Sequence, residues 1–303
     1  MNFNKLSYLH MKKCLNDPIF NIISQVGDSE QIPVYVIGGY VRDALLNRQS
    51  KDIDVVAVGS GIEIAEKVAK KLGPKVKVSV FRNFGTAMIR YQDYEVEFVG
   101  ARKESYREDS RKPIVEDGTL DDDQKRRDFT INAMAFSLNK NDFGELLDPF
   151  NGENDLKDKI IRTPLEPDQT FSDDPLRMFR AVRFSAQLNF SIEQKTYQSI
   201  SENRKRTNIL SRERILDEFN KILLSPKPSI GIKVLENTGL LEEFLPELQK
   251  LKGVDSKEGQ MHKDNFYHTI EVVDNLMART NDLWLLWAAL LHDIAKPMTK
   301  KYN

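Results

Sequence analysis

A single cysteine, Cys14, is the whole thiol complement of this 303-residue chain, so no intrachain disulfide can form and a reducing cytoplasm is the expected compartment. No apolar run approaches membrane-spanning length, and an N-terminus rich in Asn, Lys and His is no secretory signal. An excess of either charge is also missing: 45 Lys+Arg against 46 Asp+Glu leave a net charge of −1, which excludes a generally basic nucleic-acid coat but not local basic patches. Neither an internal repeat nor a low-complexity tract is present.

What is present is enough for proper cores, 40% hydrophobic residues over a length that suits two or three domains. Helical periodicity runs through residues 1–30, interrupted at Pro18. Strand-like runs follow at Val34–Ile37, Ile53–Val58, Val76–Phe81, Thr86–Tyr91 and Val96–Val99, with a helix at Ile62–Leu72. Past residue 165 the period becomes helical, and a polar linker at Gly253–Gly259 precedes the last segment. Boundaries at 1–164, 165–252 and 253–303 follow, with an α+β fold: a head with a small mixed sheet, then an all-α neck and body.

The most informative stretch is Val34-Tyr-Val-Ile-Gly-Gly-Tyr-Val-Arg-Asp43, followed by Asp52-Ile-Asp54. Strand side chains alternate, so Asp52 and Asp54 share a face while Ile53 and Val55 turn to the core. Two carboxylates so close either share a proton or hold a hard cation such as Mg²⁺. Gly38 and Gly39 let backbone approach a polyphosphate, Arg42 adds a forked donor, and a helix over Val41–Leu46 turns its positive end to the same phosphates.

Strand, Gly-Gly, Arg, then strand with Asp-x-Asp resembles the signature of DNA polymerase β-like nucleotidyltransferases, in detail that of the bacterial poly(A) polymerase and class II CCA-adding tRNA nucleotidyltransferase family. Several later stretches fit the resemblance. Arg126-Arg-Asp-Phe-Thr-Ile-Asn-Ala133 matches the motif in which Arg127 and Asp128 would hold ribose and phosphates, with Arg126 an ordinary surface charge. In Phe171-Ser-Asp-Asp-Pro-Leu-Arg177, the resemblance makes Asp174 and Arg177 a template for the edge of the incoming base, and Arg180 and Arg183 nucleotide contacts. Asp173 stands where the family commonly has Glu, and Asp121-Asp-Asp-Gln-Lys125 is a more acidic lead-in than usual. Glu97 matches the third, catalytic carboxylate, with Glu95 on the same strand face as the alternative. Arg214 and Glu218 would brace the neck at i and i+4. The basic clusters Arg204-Lys-Arg206, Arg212, Arg214, Lys227 and Lys233 offer an RNA-backbone surface.

Near the C-terminus, His268 and His292-Asp293 resemble the start of an HD phosphohydrolase domain, a candidate second metal site; the chain stops at Asn303 before the last expected aspartate, so a truncated HD region is expected. His262 lies in the same stretch.

The resemblance implies addition of C, C and A to tRNA 3′ ends from CTP and ATP with Mg²⁺, and no membrane partner. A poly(A), CC-only or A-only product of the same family remains open, and the long charged loop Lys103–Leu120 favours full CCA addition. An HD-type metal-dependent phosphohydrolase and a non-enzymatic RNA-binding protein are the rivals from other classes.

Overall fold

Alternation between core and solvent builds the front of the molecule. The computed structural model describes residues 14–107, 110–253, 256–257, 260–261 and 264–299; the periodicity at 1–13 and His262 lie outside them. The chain divides into two compact units, one drawn from 1–106, 112–158 and 162–164, the other from 107–111, 159–161 and 165–303.

The first unit opens with α1 (Pro18–Glu30). Pro18 begins this helix instead of interrupting it: its missing N–H falls where no intrahelical partner exists, and Asp17 caps the turn by accepting from the Ile19 N–H at 3.0 Å. Then come β1 (Val34–Ile37), α2 (Gly39–Leu45), β2 (Asp52–Ala57), α3 (Gly61–Leu72), β3 (Val78–Phe81), β4 (Thr86–Tyr91) and β5 (Tyr94–Gly100). They are followed by β6 (Arg102–Arg107), β7 (Ser110–Asp117), α4 (Leu120–Lys125), β8 (Ala135–Ser137), β9 (Leu146–Leu147) and α5 (Gly152–Asp158).

Seven strands form a mixed sheet in the order β3-β4-β5-β2-β1-β8-β9, with β2 and β5 parallel and the other described pairs antiparallel. One set of alternating residues, including Val36, Ile53, Val55, Val96 and Phe98, is fully buried, and α1 and α3 pack on the sheet with Ile19, Ile23, Ile64 and Val68. The other set forms a cluster of Ile37, Val56, Ala101, Leu120 and Ala135. By alternation along β2, Asp52 and Asp54 belong to that second face, as expected.

Two stretches differ from the sequence reading. Residues 103–117, expected as a loop, are largely paired as the two-stranded β6–β7 sheet. The apolar run after Asp128 makes one 3₁₀ turn at Thr130–Asn132 and becomes β8, the neighbour of β1, a strand absent from the runs read in the sequence. Every residue from Asp128 to Leu138 is buried, so the run had no polar face to fix its period.

The second unit is helical apart from short strands. The strand β10 (Ile160–Ile161) pairs in parallel with β11 (Ser191–Ile192), and α6 (Pro167–Asp173), α7 (Leu176–Leu188), α8 (Gln194–Asn203), α9 (Arg212–Leu223) and α10 (Pro228–Asn237) follow in chain order. They continue with α11 (Leu240–Phe244), α12 (Pro246–Gln249), α13 (Asn265–Met277), α14 (Leu283–Leu291) and α15 (Lys296–Thr299). Phe179 of α7, Phe219 of α9 and Phe244 of α11 stack edge to face at 5.1–5.6 Å, and Trp287 of α14 joins Phe219 at 5.3 Å.

Candidate active site

Strand register brings the acids together. In the parallel pair of β2 and β5, Asp54 lies opposite Glu97 and Asp52 opposite Glu95, so four carboxylates share one face. Glu97 is the better third acid: it stands beside Asp54, and Thr86 of β4 hydrogen-bonds to it. Glu95 instead pairs with Arg90 at 2.8 Å. The Glu97 side chain as a whole reaches solvent, yet burial of its carboxyl end, and then the charge of Asp54, hold its pKa above the ordinary carboxylate range; Thr86 and Arg102 pull the other way and lose.

The glycine pair sits against these acids. Gly38 has φ +83°, and a Cβ there would lie 2.9 Å from Arg127 Nη1, 3.2 Å from Asp54 Oδ2 and 3.8 Å from the Asn132 carbonyl. Glycine is therefore required twice over, by dihedral and by space. Gly39 begins α2, two residues before the expected helix start. Arg42 points its fork back at the protein: Nε and Nη2 donate to the Asp43 carboxylate at 3.1 and 2.8 Å, and Nη1 donates to Asn132 Oδ1 at 2.8 Å. Asn132 in turn donates to Asp128 Oδ1 at 3.0 Å, and Asp128 also accepts from the Phe129 N–H at 2.9 Å. Gly38, Arg42, Asp54, Arg127 and Asp128 thus belong to one connected group.

Sequence reasoning missed the residues that hold this group. Asp123, fully buried, accepts from Arg127 Nε at 3.1 Å and from Arg126 at 2.5 and 2.9 Å. Arg126 is no surface charge: it also reaches Glu104 at 3.1 Å, and Glu104 meets Arg102 at 2.8 Å. The acidic lead-in has distinct tasks. Asp122 closes a capping box with Thr119, Asp121 pairs with Lys125, and Asp123 turns inward.

A divalent cation is implied by the resemblance, and the donor set suits one. Hard carboxylate oxygens from Asp52 and Asp54 face the same side, Asp54 acts more strongly on Glu97 than Arg102 does, and the neighbouring arginines are each tied to carboxylates of their own.

In the second unit, Asp174 ends α6 and, two residues before α7, accepts from the Leu176 N–H at 3.1 Å, while its carbonyl accepts from the Arg177 N–H at 3.0 Å. Arg177 is buried, whereas Arg180 and Arg183 are half-buried and lie over the Phe184 ring at 5.5 and 4.2 Å. The expected Arg214–Glu218 brace is replaced. Glu218 is buried and approaches Arg183 Nε at 2.6 Å, off the N–H line, as an ion pair; it also accepts from Lys221 at 3.2 Å, while Arg214 stays exposed. In the basic cluster, Arg204 and Arg206 donate to the carbonyls of Ser201 and Ser172 at 2.7 and 2.8 Å, while Lys205, Arg212, Arg214, Lys227 and Lys233 are exposed.

The histidines expected as a second metal site do gather. Ligand atoms of His268, His292 and Asp293 lie within 4.8 Å of one another, and His268 Nδ1 is buried without a hydrogen-bond partner. Lys296 Nζ holds Asp293 Oδ2 at 2.6 Å.

Comparison with known proteins places the chain among nucleotidyltransferases. Residues 34–162 match the poly A polymerase head domain, and residues 189–252 match the probable RNA and SrmB-binding site of polymerase A. An A-adding tRNA nucleotidyltransferase of Aquifex aeolicus is 35% identical over 262 residues, 86% of this chain and 31% of that protein. A CCA-adding enzyme of Lactobacillus helveticus is 36% identical over 228 residues, 75% of this chain and 54% of that protein. The chain thus spans just under a third to just over half of the length of these relatives. A solved tRNA nucleotidyltransferase complexed with a primer tRNA and an incoming ATP analog superposes with a TM-score of 0.70 at 30% identity, covering 92% of this chain and 80% of that one.

Proposed function

The chain belongs to the poly(A) polymerase and tRNA nucleotidyltransferase family, and from that premise we propose that it extends tRNA 3′ ends, adding C, C and A from CTP and ATP in the cytoplasm. The observation that carries this reading is the convergence of Asp54, Glu97, Gly38 and Arg127 on one sheet face.

Asp52 and Asp54 would hold Mg²⁺. Bound there, the metal pair supplies Lewis-acid activation of the ribose hydroxyl and charge neutralisation at the triphosphate. Glu97 accepts the proton of the attacking 3′ hydroxyl, for which a raised pKa suits a base. Gly38 and Gly39 admit the triphosphate to the backbone, and Arg127, fixed by Asp123, offsets the charge that develops as pyrophosphate leaves. Arg42, anchored on Asp43, and Asp128 hold the ribose and phosphate side through Asn132. Asp174 and Arg177 would read the base edge, a carboxylate accepting from an exocyclic amine and a guanidinium donating to ring nitrogen and carbonyl. Arg180 and Arg183 would add charge against the nucleotide. No helix among the described residues is long and apolar enough to cross a membrane.

Because residues 103–117 largely pair as a hairpin, loop length no longer argues for CCA over a shorter product, and the A-adding relative keeps A-only addition in view. Incubation of tRNA lacking its 3′ end with labelled CTP and ATP, followed by sequencing of the products, separates these readings. Incorporation abolished in Asp52→Ala and Asp54→Ala is expected; incorporation that survives both refutes the assignment. A second reading concerns His268, His292 and Asp293, whose clustered ligand atoms, together with a buried His268 Nδ1 that lacks a hydrogen-bond partner, support a transition-metal site. Calorimetric titration with Mn²⁺ should show binding that His292→Ala removes.

A further inference from the structure

We propose that the turn joining β3 to β4 is the seat of the acceptor strand's 3′-terminal bases, with Phe81 and Phe84 as its stacking platform. The inference rests on the nucleotidyl-transfer reading above.

Four strands carry the argument. Across the catalytic face, register aligns Asp54 of β2, Glu97 of β5, Met88 of β4 and Ser79 of β3 in one row; the next row runs Val56, Val99, Thr86 and Phe81. The carboxylates divide this face in two. On the β1 side stand Gly38 and Arg127, where a triphosphate fits. On the other side, within the seven-stranded sheet, lie β4 and the edge strand β3. In-line displacement requires the attacking oxygen and the leaving pyrophosphate on opposite sides of the α-phosphorus. With the leaving group toward Gly38 and Arg127, the 3′ hydroxyl must arrive from the Glu97 side. The nucleotides behind it then cross β4 and β3.

The surface met there suits single-stranded RNA. Phe84 is 72% exposed and Phe81 45%, both at the tip of a turn whose Arg82 and Asn83 are also exposed. Gly85, at φ +64° with open space where a Cβ would stand, closes the turn. Thr86 follows it, pairs with Phe81 and hydrogen-bonds to Glu97, so the aromatic turn adjoins the base that takes the proton. Two aromatic rings beside a guanidinium fit stacked bases and a phosphate; every base has a π-face, so such a platform tolerates the change of terminal residue as a strand grows.

The test uses the full chain and a hairpin RNA with the acceptor stem of tRNA, carrying 2-aminopurine as its 3′-terminal residue. Stacking should quench the fluorophore on binding, with no turnover needed. Phe84→Ala, which removes no core contact, should raise the RNA Kd roughly 10- to 100-fold and lose the quench, Phe84→Trp should restore both, and KM for CTP should not move. A quench by the wild type that persists unchanged in Phe84→Ala and Phe81→Ala overturns the proposal, as does binding by the wild type with no quench. Failure of the wild type to incorporate any nucleotide would instead refute the nucleotidyl-transfer reading, while the quench still judges this surface.

Discussion

Replacing Gly38 by alanine tests the site at its most crowded point. The backbone there, φ +83° and ψ −134°, is a conformation that L-residues adopt at a cost of about 1–3 kcal/mol. The added methyl would also stand 2.9 Å from the Arg127 guanidinium and 3.2 Å from the Asp54 carboxylate. Ordinary contact between such atoms begins near about 3.5 Å, so one of them must retreat by roughly half an ångström. Arg127 is not free to do so, being fixed on buried Asp123 at 3.1 Å. A loss of about 2 kcal/mol corresponds to a fall in Tm of roughly 4–8 °C for a unit of this size. Misplacing Asp54 or Arg127 by such a distance should slow nucleotide incorporation by on the order of 10²-fold. Gly39→Ala is the control for stability: its methyl would meet only Arg42 Nη2, at 3.7 Å, and alanine favours the helix that starts there. Thermal unfolding and incorporation of labelled CTP report the two effects. Gly38→Ala with wild-type Tm and rate, or Gly39→Ala equally destabilised, would refute the reasoning.

Asp123→Asn leaves two guanidiniums without their buried acid and should destabilise by about 3–5 kcal/mol in urea unfolding while raising KM for CTP, since Arg127 loses its anchor. Glu97→Gln should abolish turnover yet stabilise the metal-free protein. Because the folded-state pKa is raised, protonated Glu97 costs nothing at acidic pH and its ionised form is penalised as pH climbs through that pKa. In EDTA the variant should therefore gain stability at pH 7, by less than about 1 kcal/mol after solvent screening, with the gain vanishing at pH values below the unfolded pKa; a variant less stable than wild type at neutral pH refutes the sign. Glu218→Gln should cost about 3–5 kcal/mol by uncovering Arg183, whereas Arg214→Ala should stay within about 0.5 kcal/mol, a contrast readable by chemical denaturation.

The parts of the site that a sequence displays are those fixed by local geometry. Alternation along a strand is enough to set Asp52 and Asp54 on one face, and the Gly-Gly pair before Arg42 needs only its own dihedrals to announce a tight approach. In the sequence, Glu97 stands ahead of Glu95 through the family resemblance alone; its place beside Asp54 needs register between two parallel strands separated by a helix and two further strands, which no local pattern encodes. The strand at Ala135–Ser137 was hidden because burial on both sides erases the period that separates strand from helix. Asp123 escaped notice for the opposite reason. A run of three acids looks solvated, until the capping box of Thr119 and Asp122 fixes the helix phase and turns the next carboxylate inward. Likewise Arg214 and Glu218 satisfy the i, i+4 rule on paper, but the burial of Glu218 against α7 offers it a nearer cation.

Those hidden residues carry the electrostatic logic of the head. Arg127, Asp123, Arg126, Glu104 and Arg102 form a continuous row of alternating charge, each link between 2.5 and 3.1 Å, and Arg102 acts in turn on Glu97. One end of the row faces the glycine pair and the other faces the third acid. Each end is therefore held by a buried carboxylate of its own, Arg127 by Asp123 and Arg102 by Glu104 with Arg126 bridging the two, and a guanidinium fixed in this way has little orientation entropy left to lose when it meets an anion.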